Sequence, residues 1–505
     1  MASMQSDGHA VVLSGADVGG DGGRLVHNCE DCACEVSSTS VRRAPRQPAP
    51  GENDDVWVSG RNVVEIPVDD AYSTLFNPLG HGGAVVVDAA ARRIFRGFAD
   101  PVTVPAARAA LDAATRAEFH SVVNRLHALE MIEPADSPVR PDFSGSDRGE
   151  MLTAWLHVTN DCNLRCPYCY LAKTREPMDE ATGRAAIDAV VASAVRHGFP
   201  AVKMKYAGGE ATLNADLVVT LHAYAKEVAG RNGLDLHATV LTNGVMVPPR
   251  LAAALAGEDI KVMISLDGVG ASHDVQRPST AGKPSFRMVE RTIARLAQLG
   301  VAPHLSITIT SRNADGVADA VRFALDRDLT FSLNFFRDNE CASGFDDLRY
   351  EEQQMIAALR AAFAVIEERL PPWSVLGTVL DRGQLLQPRQ HSCGVGRDYV
   401  VVDQHGRVAK CHMEIERTLG DVFRDDPLEL VRSDTRTVLN LAVEEKEGCR
   451  DCSWRYWCSG GCSVATFRAT GRFDVKSPNC HIYQAIYPEV LRLEGLRLLK
   501  YARPS

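Results

Sequence analysis

Between residues 151 and 340, short apolar runs alternate with longer segments in which apolar residues recur every three or four positions. The short runs have the length of buried strands, and the longer pattern is typical of helices that cover a sheet. The predicted strands lie near 155–159, 203–207, 237–242, 261–266, 304–310 and 331–336, with helices near 179–197, 214–229, 249–256, 286–299 and 315–327. This alternation predicts an α/β fold, a partial (β/α)6 barrel of the TIM type over residues 150–340.

The N-terminal part of the chain has two other patterns. Residues 1–55 are rich in Gly, Ser, Asp and Pro with little periodicity, which is typical of a disordered tail. Residues 62–135 combine short β-like runs with helical segments and predict a small α+β domain with a winged-helix-like arrangement. The runs lie at 63–66 and 84–87, and the helical segments at 106–111 and 117–129. Four residues have the spacing of one apolar helix face: Val122, Leu126, Leu129 and Ile132.

The C-terminal part begins with a long helical pattern over 349–370, which ends at Pro371-Pro372 because a helix cannot continue there. We therefore expect residues 341–390 to form a helical linker. Residues 391–485 are dense in cysteines and turn residues, and predict a separate module. An amphipathic helix over Pro488–Tyr501, within residues 486–505, completes the predicted structure.

The composition limits the classes of function. A chain of 505 residues is too long for one compact core, and a net charge of -10 with a pI near 5.9 gives no broad basic surface. Nucleic acid is therefore not an expected partner. The first 23 residues contain no Lys or Arg, and no stretch approaches the roughly 18 apolar residues of a membrane span. We expect a cytoplasmic protein with no membrane partner.

The 14 cysteines are the strongest chemical signal, because a reducing cytosol disfavours disulfides and favours metal binding by grouped cysteines. Cys162, Cys166 and Cys169 follow the first predicted barrel strand. Three thiolates in one loop can hold a cubane iron-sulfur cluster and leave one iron without a protein ligand. A molecule with an amine and a carboxylate can chelate that iron. Zinc is the alternative, but a zinc site would recruit a fourth Cys or His, and this loop contains none.

The spacing of these cysteines, with the aromatic Tyr168 before the third, resembles the radical S-adenosylmethionine superfamily. The resemblance implies a 4Fe-4S cluster, S-adenosylmethionine bound to its free iron, and reductive cleavage to a 5'-deoxyadenosyl radical that abstracts a substrate hydrogen. It also implies that residues at or after the first four strands bind the cofactor: Tyr168, Gly208, Gly209, Glu210, Asn243 and Ser265. Glu210 would accept a hydrogen bond from the methionine amine. In isolation each strand-end motif is equally an ordinary turn, and only their order makes the pattern specific.

A further motif follows the fourth predicted strand. His273 to Arg277 resembles a His-Asp-x-x-Arg signature of anaerobic sulfatase maturases and many peptide-modifying relatives. Arg277 could hold a cofactor or substrate carboxylate bidentately. It could equally form an ion pair that braces the loop, and both interpretations are open at this point.

The second cysteine group resembles, in order and spacing, the SPASM domain of radical enzymes that mature peptides and proteins. The resemblance implies a distal auxiliary cluster on Cys449, Cys452, Cys458 and Cys480, and a proximal one on Cys393, Cys411 and Cys462. The proximal site lacks a fourth thiolate. Either His391 or Cys341 completes it, or its iron stays open and binds a substrate group. A pair of zinc ribbons is the alternative, but zinc cannot carry the electron that the substrate must lose.

Residues 62–135 resemble in pattern the peptide-binding domains first seen in pyrroloquinoline quinone biosynthesis, although a helical cap on the barrel is the alternative. With that domain we expect a maturase that forms an oxidative crosslink, whether thioether, C-C or C-O, in a ribosomally synthesised precursor peptide. A flavodoxin or ferredoxin would supply electrons.

Two other functions are open. One is that of an anaerobic sulfatase maturase, which forms formylglycine on a protein Cys or Ser. In those maturases an aspartate follows the cysteine aligned with Cys411, and here His412 takes its place as a possible base. A non-catalytic iron-sulfur electron carrier is the other class, but it would not need Glu210 or the glycine pair. Cys29, Cys32 and Cys34 lie in the predicted tail. They are either adventitious thiols or part of a metal-binding or substrate-mimicking segment.

Overall fold

The computed structural model describes residues 10–18, 50–51, 53–60, 62–81, 83–136, 143, 150–257, 260–377 and 379–502. Most of the predicted tail, including Cys29, Cys32 and Cys34, lies outside the described residues.

Within the described residues, the N-terminal part of the chain forms two small antiparallel sheets and four α-helices. The strands are β1 (Val12–Leu13), β2 (Val56–Ser59), β3 (Val64–Pro67), β4 (Ser73–Phe76), β5 (Ala84–Val87), β6 (Val102–Thr103) and β7 (Ile132–Pro134). The helices are α1 (Ala89–Arg96), α2 (Val104–Ala109), α3 (Ala113–Ala117) and α4 (Phe119–Ala128). One sheet has the order β1-β5-β4-β3 and the other β6-β2-β7. Trp57, Phe98 and Phe119 lie in the apolar core that they share.

The apolar face predicted over residues 122–132 is only partly helical. Val122 and Leu126 are buried on α4 as expected. The helix ends after Ala128, and Glu130 takes a φ of 61°, a left-handed conformation that reverses the chain. Ile132 therefore lies in β7 instead of on the helix, although it joins the same core.

The six predicted barrel strands and the five predicted helices are confirmed, and one further short helix follows the fourth strand. The strands are β8 (Met151–His157), β9 (Ala201–Ala207), β10 (Asp235–Thr242), β11 (Ile260–Ser265), β12 (His304–Ile309) and β13 (Phe331–Phe335). The helices are α5 (Glu180–Arg196), α6 (Ala215–Arg231), α7 (Pro249–Gly257), α8 (Ala271–Asp274), α9 (Phe286–Gln298) and α10 (Val317–Leu325). Neighbouring strands pair in parallel in chain order. Their carboxyl ends meet at one edge, where barrel enzymes place their chemistry.

The C-terminal part continues the barrel sheet. It contains α11 (Glu352–Glu368), β14 (Tyr399–Val402), β15 (Arg407–Ala409), β16 (Thr418–Asp421), α12 (Pro427–Ser433), α13 (Arg455–Cys458), α14 (Ser463–Thr470) and α15 (Cys480–Tyr501). Strand β14 pairs in parallel with β8, with Tyr399 opposite Thr153, and β14 to β16 form an antiparallel extension. The result is one nine-stranded sheet that carries the first cysteine loop and the start of the cysteine-rich region.

The last helix is longer than expected. It begins at Cys480, eight residues before the predicted start at Pro488, and Pro488 lies inside it. Buried residues on both sides of the proline, including Tyr483, Tyr487 and Val490, hold the helix against the core. This tertiary packing outweighs the local cost of the proline. Among the described residues, no helix has both the length and the apolar character required to cross a membrane.

Candidate functional site

The loop after β8 holds the first cysteine group in a fixed conformation. Its backbone is anchored to the loop after β11, because Arg165 N donates to Pro278 O at 2.8 Å and Thr280 N donates to Asn163 O at 3.0 Å. Within the loop, Leu164 N donates to the Sγ of Cys162 at 3.4 Å. Cys162, Cys166 and Cys169 all line one cavity at the carboxyl edge of the sheet.

The glycine pair after β9 lies directly against this loop. Gly209 N donates to Thr159 O and Glu210 N donates to Asp161 O, both at 2.8 Å. A Cβ on Gly208 would lie 2.3 Å from Thr159 O, and a Cβ on Gly209 would lie 2.3 Å from Asp161 O. The sequence places both glycines among the residues expected to bind the cofactor. In the structure, their lack of a side chain allows two backbone segments to pair beside the cysteines.

Glu210 is buried and held by four donors. Its Oε1 accepts from Thr212 Oγ1 and Thr242 Oγ1 at 2.7 Å and from Thr212 N at 3.0 Å, and its Oε2 accepts from Asn243 N at 2.6 Å. Burial raises the pKa of Glu210, while these hydrogen bonds act in the opposite direction. Because Oε2 accepts one of the four bonds, it keeps capacity to accept another from a cationic amine.

Asn243 and Ser265 lie at the ends of β10 and β11, as the sequence indicates, and both line the cavity. The Nδ2 of Asn243 donates to Asn163 Oδ1 at 2.7 Å and lies 3.9 Å from the Sγ of Cys162. The amide of Asn243 is therefore in contact with the first cysteine of the loop.

Tyr168, Asp267 and Arg277 form a buried cluster at the same edge. Tyr168 OH donates to Asp267 Oδ2, and Arg277 Nε donates to the same oxygen at 2.7 Å. The guanidinium of Arg277 also lies over the Tyr168 ring, 5.5 Å from its centroid. Burial opposes the charge of Arg277, but Asp267, Tyr168 and Cys166 together outweigh burial and raise the pKa of Arg277. Of the two interpretations left open for Arg277, the structure contains the bracing ion pair.

The rest of the His273 to Arg277 motif also supports the loop. His273 Nδ1 accepts from Asp267 N at 3.3 Å, and its Nε2 lies 3.1 Å from Ser285 Oγ. Burial lowers the pKa of His273 to about 4, so the imidazole is neutral near pH 7. Asp274 Oδ1 accepts from Ser285 N and Phe286 N, both at 2.8 Å, at the start of α9.

The proximal cysteines face the first group across one cavity. Cys393, Cys411 and Cys462 line the same cavity as the first three, so six of its lining residues are cysteines. Arg337 and Arg382 line it too. Burial opposes the Cys462 thiolate, but these two arginines and a backbone hydrogen bond from Ala465 together outweigh burial and lower the pKa of Cys462. The cationic charge favours an anionic sulfur at this position.

The two residues that could complete the proximal site are directed elsewhere. Cys341 is exposed and its Sγ donates to Tyr170 O at 3.4 Å. His391 Nδ1 lies 2.9 Å from Asn440 O. Neither residue lines the shared cavity in the part of the chain that the structure describes.

His412 is buried between aromatic rings. It stacks on Trp155 with ring centroids 4.6 Å apart, and its Nδ1 lies 3.1 Å from Tyr399 OH. Burial, together with Arg382 and Arg337, lowers its pKa well below 6.5. The side chain lines the cavity, but an imidazole of such low pKa is a weak base near neutral pH.

The distal cysteines lie at the start of α15, at the end of α13 and in the loop before α13. Burial, together with the charges of Cys458, Cys480 and Cys452, raises the pKa of Cys449 to about 12, so these three sulfurs lie near enough to Cys449 to interact with it. Lys446 is buried beside them and its Nζ donates to Ser459 O at 3.0 Å.

Two residues of the site were missed from the sequence. Asp267 accepts hydrogen bonds from both Tyr168 and Arg277. Its position two residues after Ser265, just beyond the end of β11, could have indicated that it belongs to the site. Lys173 lines the cavity. Burial opposes its charge, but the thiolates of Cys169, Cys166 and Cys162 outweigh burial and raise its pKa. A lysine four residues after the third cysteine carried no signal in a single sequence.

Comparison with known proteins agrees with this geometry. Residues 156–324 match the model of the Radical SAM superfamily, a range from β8 to the end of α10. This part of the chain is therefore a radical SAM domain, and its named relatives show that the protein is an enzyme.

The relatives include several maturation enzymes. PqqA peptide cyclase of Methylobacterium sp. (strain 4-46) is 25% identical over 350 residues, 64% of this chain and 84% of that one. A cysteine-type anaerobic sulfatase-maturating enzyme of Clostridium perfringens (strain ATCC 13124) is 22% identical over 321 residues, 60% of this chain and 86% of that one. An uncharacterized protein of Methanocaldococcus jannaschii is 28% identical over 171 residues, 34% of this chain and only 57% of that one.

The solved structure of native anSMEcpe with bound AdoMet and Cp18Cys peptide has the same fold over much of the chain. The TM-score is 0.55 at 19% identity, and the match covers 68% of this chain and 99% of that one. Radical SAM enzymes use a 4Fe-4S cluster and S-adenosylmethionine, and the donors of the cavity fit both groups. Three thiols lie in one loop, and beside them lies the buried Glu210 carboxylate with a free acceptor position.

Proposed function

We propose that this enzyme matures a ribosomally synthesised precursor peptide by forming an oxidative crosslink. The observation that carries this proposal is the shared cavity, lined by Cys162, Cys166 and Cys169 and also by Cys393, Cys411 and Cys462. A peptide side chain in that cavity would lie between a site that generates a radical and a second site that can take an electron. An oxidative crosslink requires both steps on one substrate.

The first three cysteines would hold the cluster that binds S-adenosylmethionine. When bound, these groups supply a 5'-deoxyadenosyl radical that abstracts a substrate hydrogen. Glu210 and the Gly208-Gly209 backbone would hold the methionine amine, with Asn243 and Ser265 beside the cofactor and Tyr168 near the adenine. The ion pair of Arg277 with Asp267 keeps Tyr168 in place.

The second cysteine group would hold two auxiliary clusters. Cys449, Cys452, Cys458 and Cys480 would bind the distal cluster, and Cys393, Cys411 and Cys462 the proximal one. Cys341 and His391 form hydrogen bonds outside the shared cavity, which supports an iron without a fourth protein ligand at the proximal site. Arg337 and Arg382 would favour an anionic substrate group there, such as a thiolate or carboxylate. A flavodoxin or ferredoxin is the proposed electron donor.

The N-terminal domain supports a peptide substrate. Its antiparallel strands β3, β4 and β5 and its helices α1 to α4 are the kinds of element expected in a small domain that binds the leader segment of a precursor. PqqA peptide cyclase is one of the relatives, and its name gives a peptide as its substrate.

A protein-maturing reaction is the second candidate, because a sulfatase-maturating enzyme is a relative and shares the fold. His412 counts against it, since it stands where those maturases have an aspartate.

The test is to incubate reconstituted enzyme with reductant, S-adenosylmethionine and the peptide encoded by the neighbouring small open reading frame. We expect the peptide to lose a pair of hydrogens, and the triple variant Cys162→Ala, Cys166→Ala, Cys169→Ala to leave it unchanged. A cysteine peptide from a sulfatase serves as the second substrate. Conversion of that peptide alone would replace our proposal with the protein-maturing reaction.

A further inference from the structure

Residues 11–18 form a strand and a short helical turn along the edge of β5, far in sequence from the sheet that they join. Val12 lies opposite Val87 and Leu13 opposite Val86 in antiparallel pairing. Asp88 N donates to Val11 O at 3.2 Å, and Val11 N donates to Asp88 Oδ2 at 3.0 Å. The other three strands of this sheet, β3 to β5, follow one another directly in the chain. The segment is therefore a fourth strand added from outside the meander.

The side chains of this segment are buried on both faces. Val12 joins the core of the N-terminal domain. Val11 and Leu13 point the other way and pack with Val86 and with Leu498 of α15. Leu13 is only 2% exposed. The segment thus fills a cleft between the sheet edge and the last helix of the chain.

The turn after the strand is fixed by charge. Asp17 forms an ion pair with Arg125 of α4, and the Asp17 side chain is 9% exposed. The same carboxylate accepts from Ser14 N at 2.7 Å and from Ser14 Oγ at 3.0 Å. Beyond it, Val18 forms a bridge with Ala502. Asp17 is therefore held at a defined distance from the apolar run.

These contacts are of the kind that bind a peptide by strand addition. In that mode backbone hydrogen bonds to an exposed sheet edge give affinity, and pockets for alternate side chains give specificity. An uncovered β5 edge would expose unpaired backbone groups beside an apolar cleft, which natural proteins avoid. Here the segment 11–18 supplies the cover.

We propose that the cleft between β5, α4 and α15 is a peptide-binding site, that residues 11–18 occupy it in cis, and that a peptide of matching pattern replaces them. The matching pattern is a run of three apolar residues with an acidic residue four positions after the third, as in Val11 to Leu13 and Asp17. That the replacing peptide is the precursor rests on the proposed function. That the cleft is occupied by residues 11–18 does not depend on the proposed function.

The test uses a fluorescent synthetic peptide with the sequence of residues 8–20 as the probe. Its binding is followed by anisotropy to the full chain, to a chain that lacks residues 1–18, and to the full-length variant Leu13→Asp. We expect the probe to bind the truncated chain and the Leu13→Asp variant. Binding to the wild-type chain should be at least about tenfold weaker, because a tethered segment competes at an effective concentration on the order of millimolar. The point variant keeps the test valid if the truncated chain fails to fold.

Matched probes define the specificity. A probe with Leu13→Asp or Asp17→Ala should bind the truncated chain at least about tenfold more weakly, since it loses a buried contact or the Arg125 ion pair. A probe with Ala16→Ser should bind unchanged, because Ala16 is exposed. In the truncated chain with Arg125→Ala, the probes with and without Asp17→Ala should bind with equal affinity.

Equal binding to the wild-type and opened chains would overturn the proposal, as would failure of the probe to bind both opened chains. No cofactor or reductant is used in this assay. If the probe binds as expected and no peptide loses hydrogens in the activity test, the proposed function fails and the cis-occupied site stands.

Discussion

At the residue scale, Glu210 has the most closely defined environment in the site, with four donors on one buried carboxylate. In Glu210→Gln, an NH₂ group replaces one carboxylate oxygen and faces hydrogen-bond donors. The side chain also loses its negative charge. We expect S-adenosylmethionine to bind roughly 10- to 100-fold more weakly, as a charge-assisted hydrogen bond contributes about 1.5–3 kcal/mol. Equilibrium dialysis with reconstituted protein measures this affinity. Iron content is the control and should not change, so unaltered cofactor affinity would contradict the role of Glu210.

A second prediction at this scale concerns two buried histidines. Burial lowers the pKa of His157 and of His273 to about 4, against an ordinary value of 6.5. Above pH 6.5 both are neutral in the folded and unfolded chain. As the pH falls below 6.5, the unfolded chain binds protons that the folded chain does not, so stability falls until about pH 4. At pH 5.5 each histidine should cost about 1.4 kcal/mol of stability.

Thermal unfolding at pH 7.5 and pH 5.5 checks this expectation. The decrease in Tm on acidification should be smaller in His157→Gln and smaller again in the double variant with His273→Gln. His237 is exposed, and His237→Gln is the matched control with an unchanged decrease. Equal decreases in all four proteins would show that the buried histidines do not set the acid sensitivity.

At the element scale, the pairing of the glycine segment with the cysteine loop holds the two strand ends together. In Gly209→Ala the new Cβ would lie 2.3 Å from Asp161 O and 2.7 Å from Asn160 O. The loop must move away from β9, and we expect reconstituted protein to lose about four irons, the content of one cubane cluster. The control is Gly230→Ala on α6, where a Cβ meets no atom within 4 Å. Full iron content in Gly209→Ala would contradict this account of the glycine pair.

Sequence patterns predicted the six strands of the barrel but not the extension of its sheet by β14 to β16. The six strands and the cysteine loop were recognisable because apolar runs, helical spacing and Cys162 to Cys169 are local signals. The pairing of β14 with β8 joins segments that are far apart in the chain, and no local pattern encodes such a pair. The partner of Arg277 could not be chosen from the sequence either, because the contact with Asp267, ten residues away, depends on how the loop between them folds. Strand β1 was missed because two residues are too short to give a period.

At the scale of the whole molecule, one sheet connects the two cysteine-rich regions. The loop after β8 carries Cys162, and β14 to β15, the next strands of the same sheet, lead to Cys411. The distance between the two candidate cluster sites is therefore set by strand pairing in a rigid sheet. Because both candidate cluster sites line one cavity, one substrate in that cavity could react with groups at both sites.

The most direct test of this account is an anaerobic reconstitution with iron and sulfide counting and an assay for 5'-deoxyadenosine under reducing conditions. We predict about twelve irons per chain, three cubane clusters, in the wild type. The triple variant Cys162→Ala, Cys166→Ala, Cys169→Ala should keep about eight of them and form no 5'-deoxyadenosine. Zinc in place of iron, or undiminished 5'-deoxyadenosine in the variant, would contradict the account.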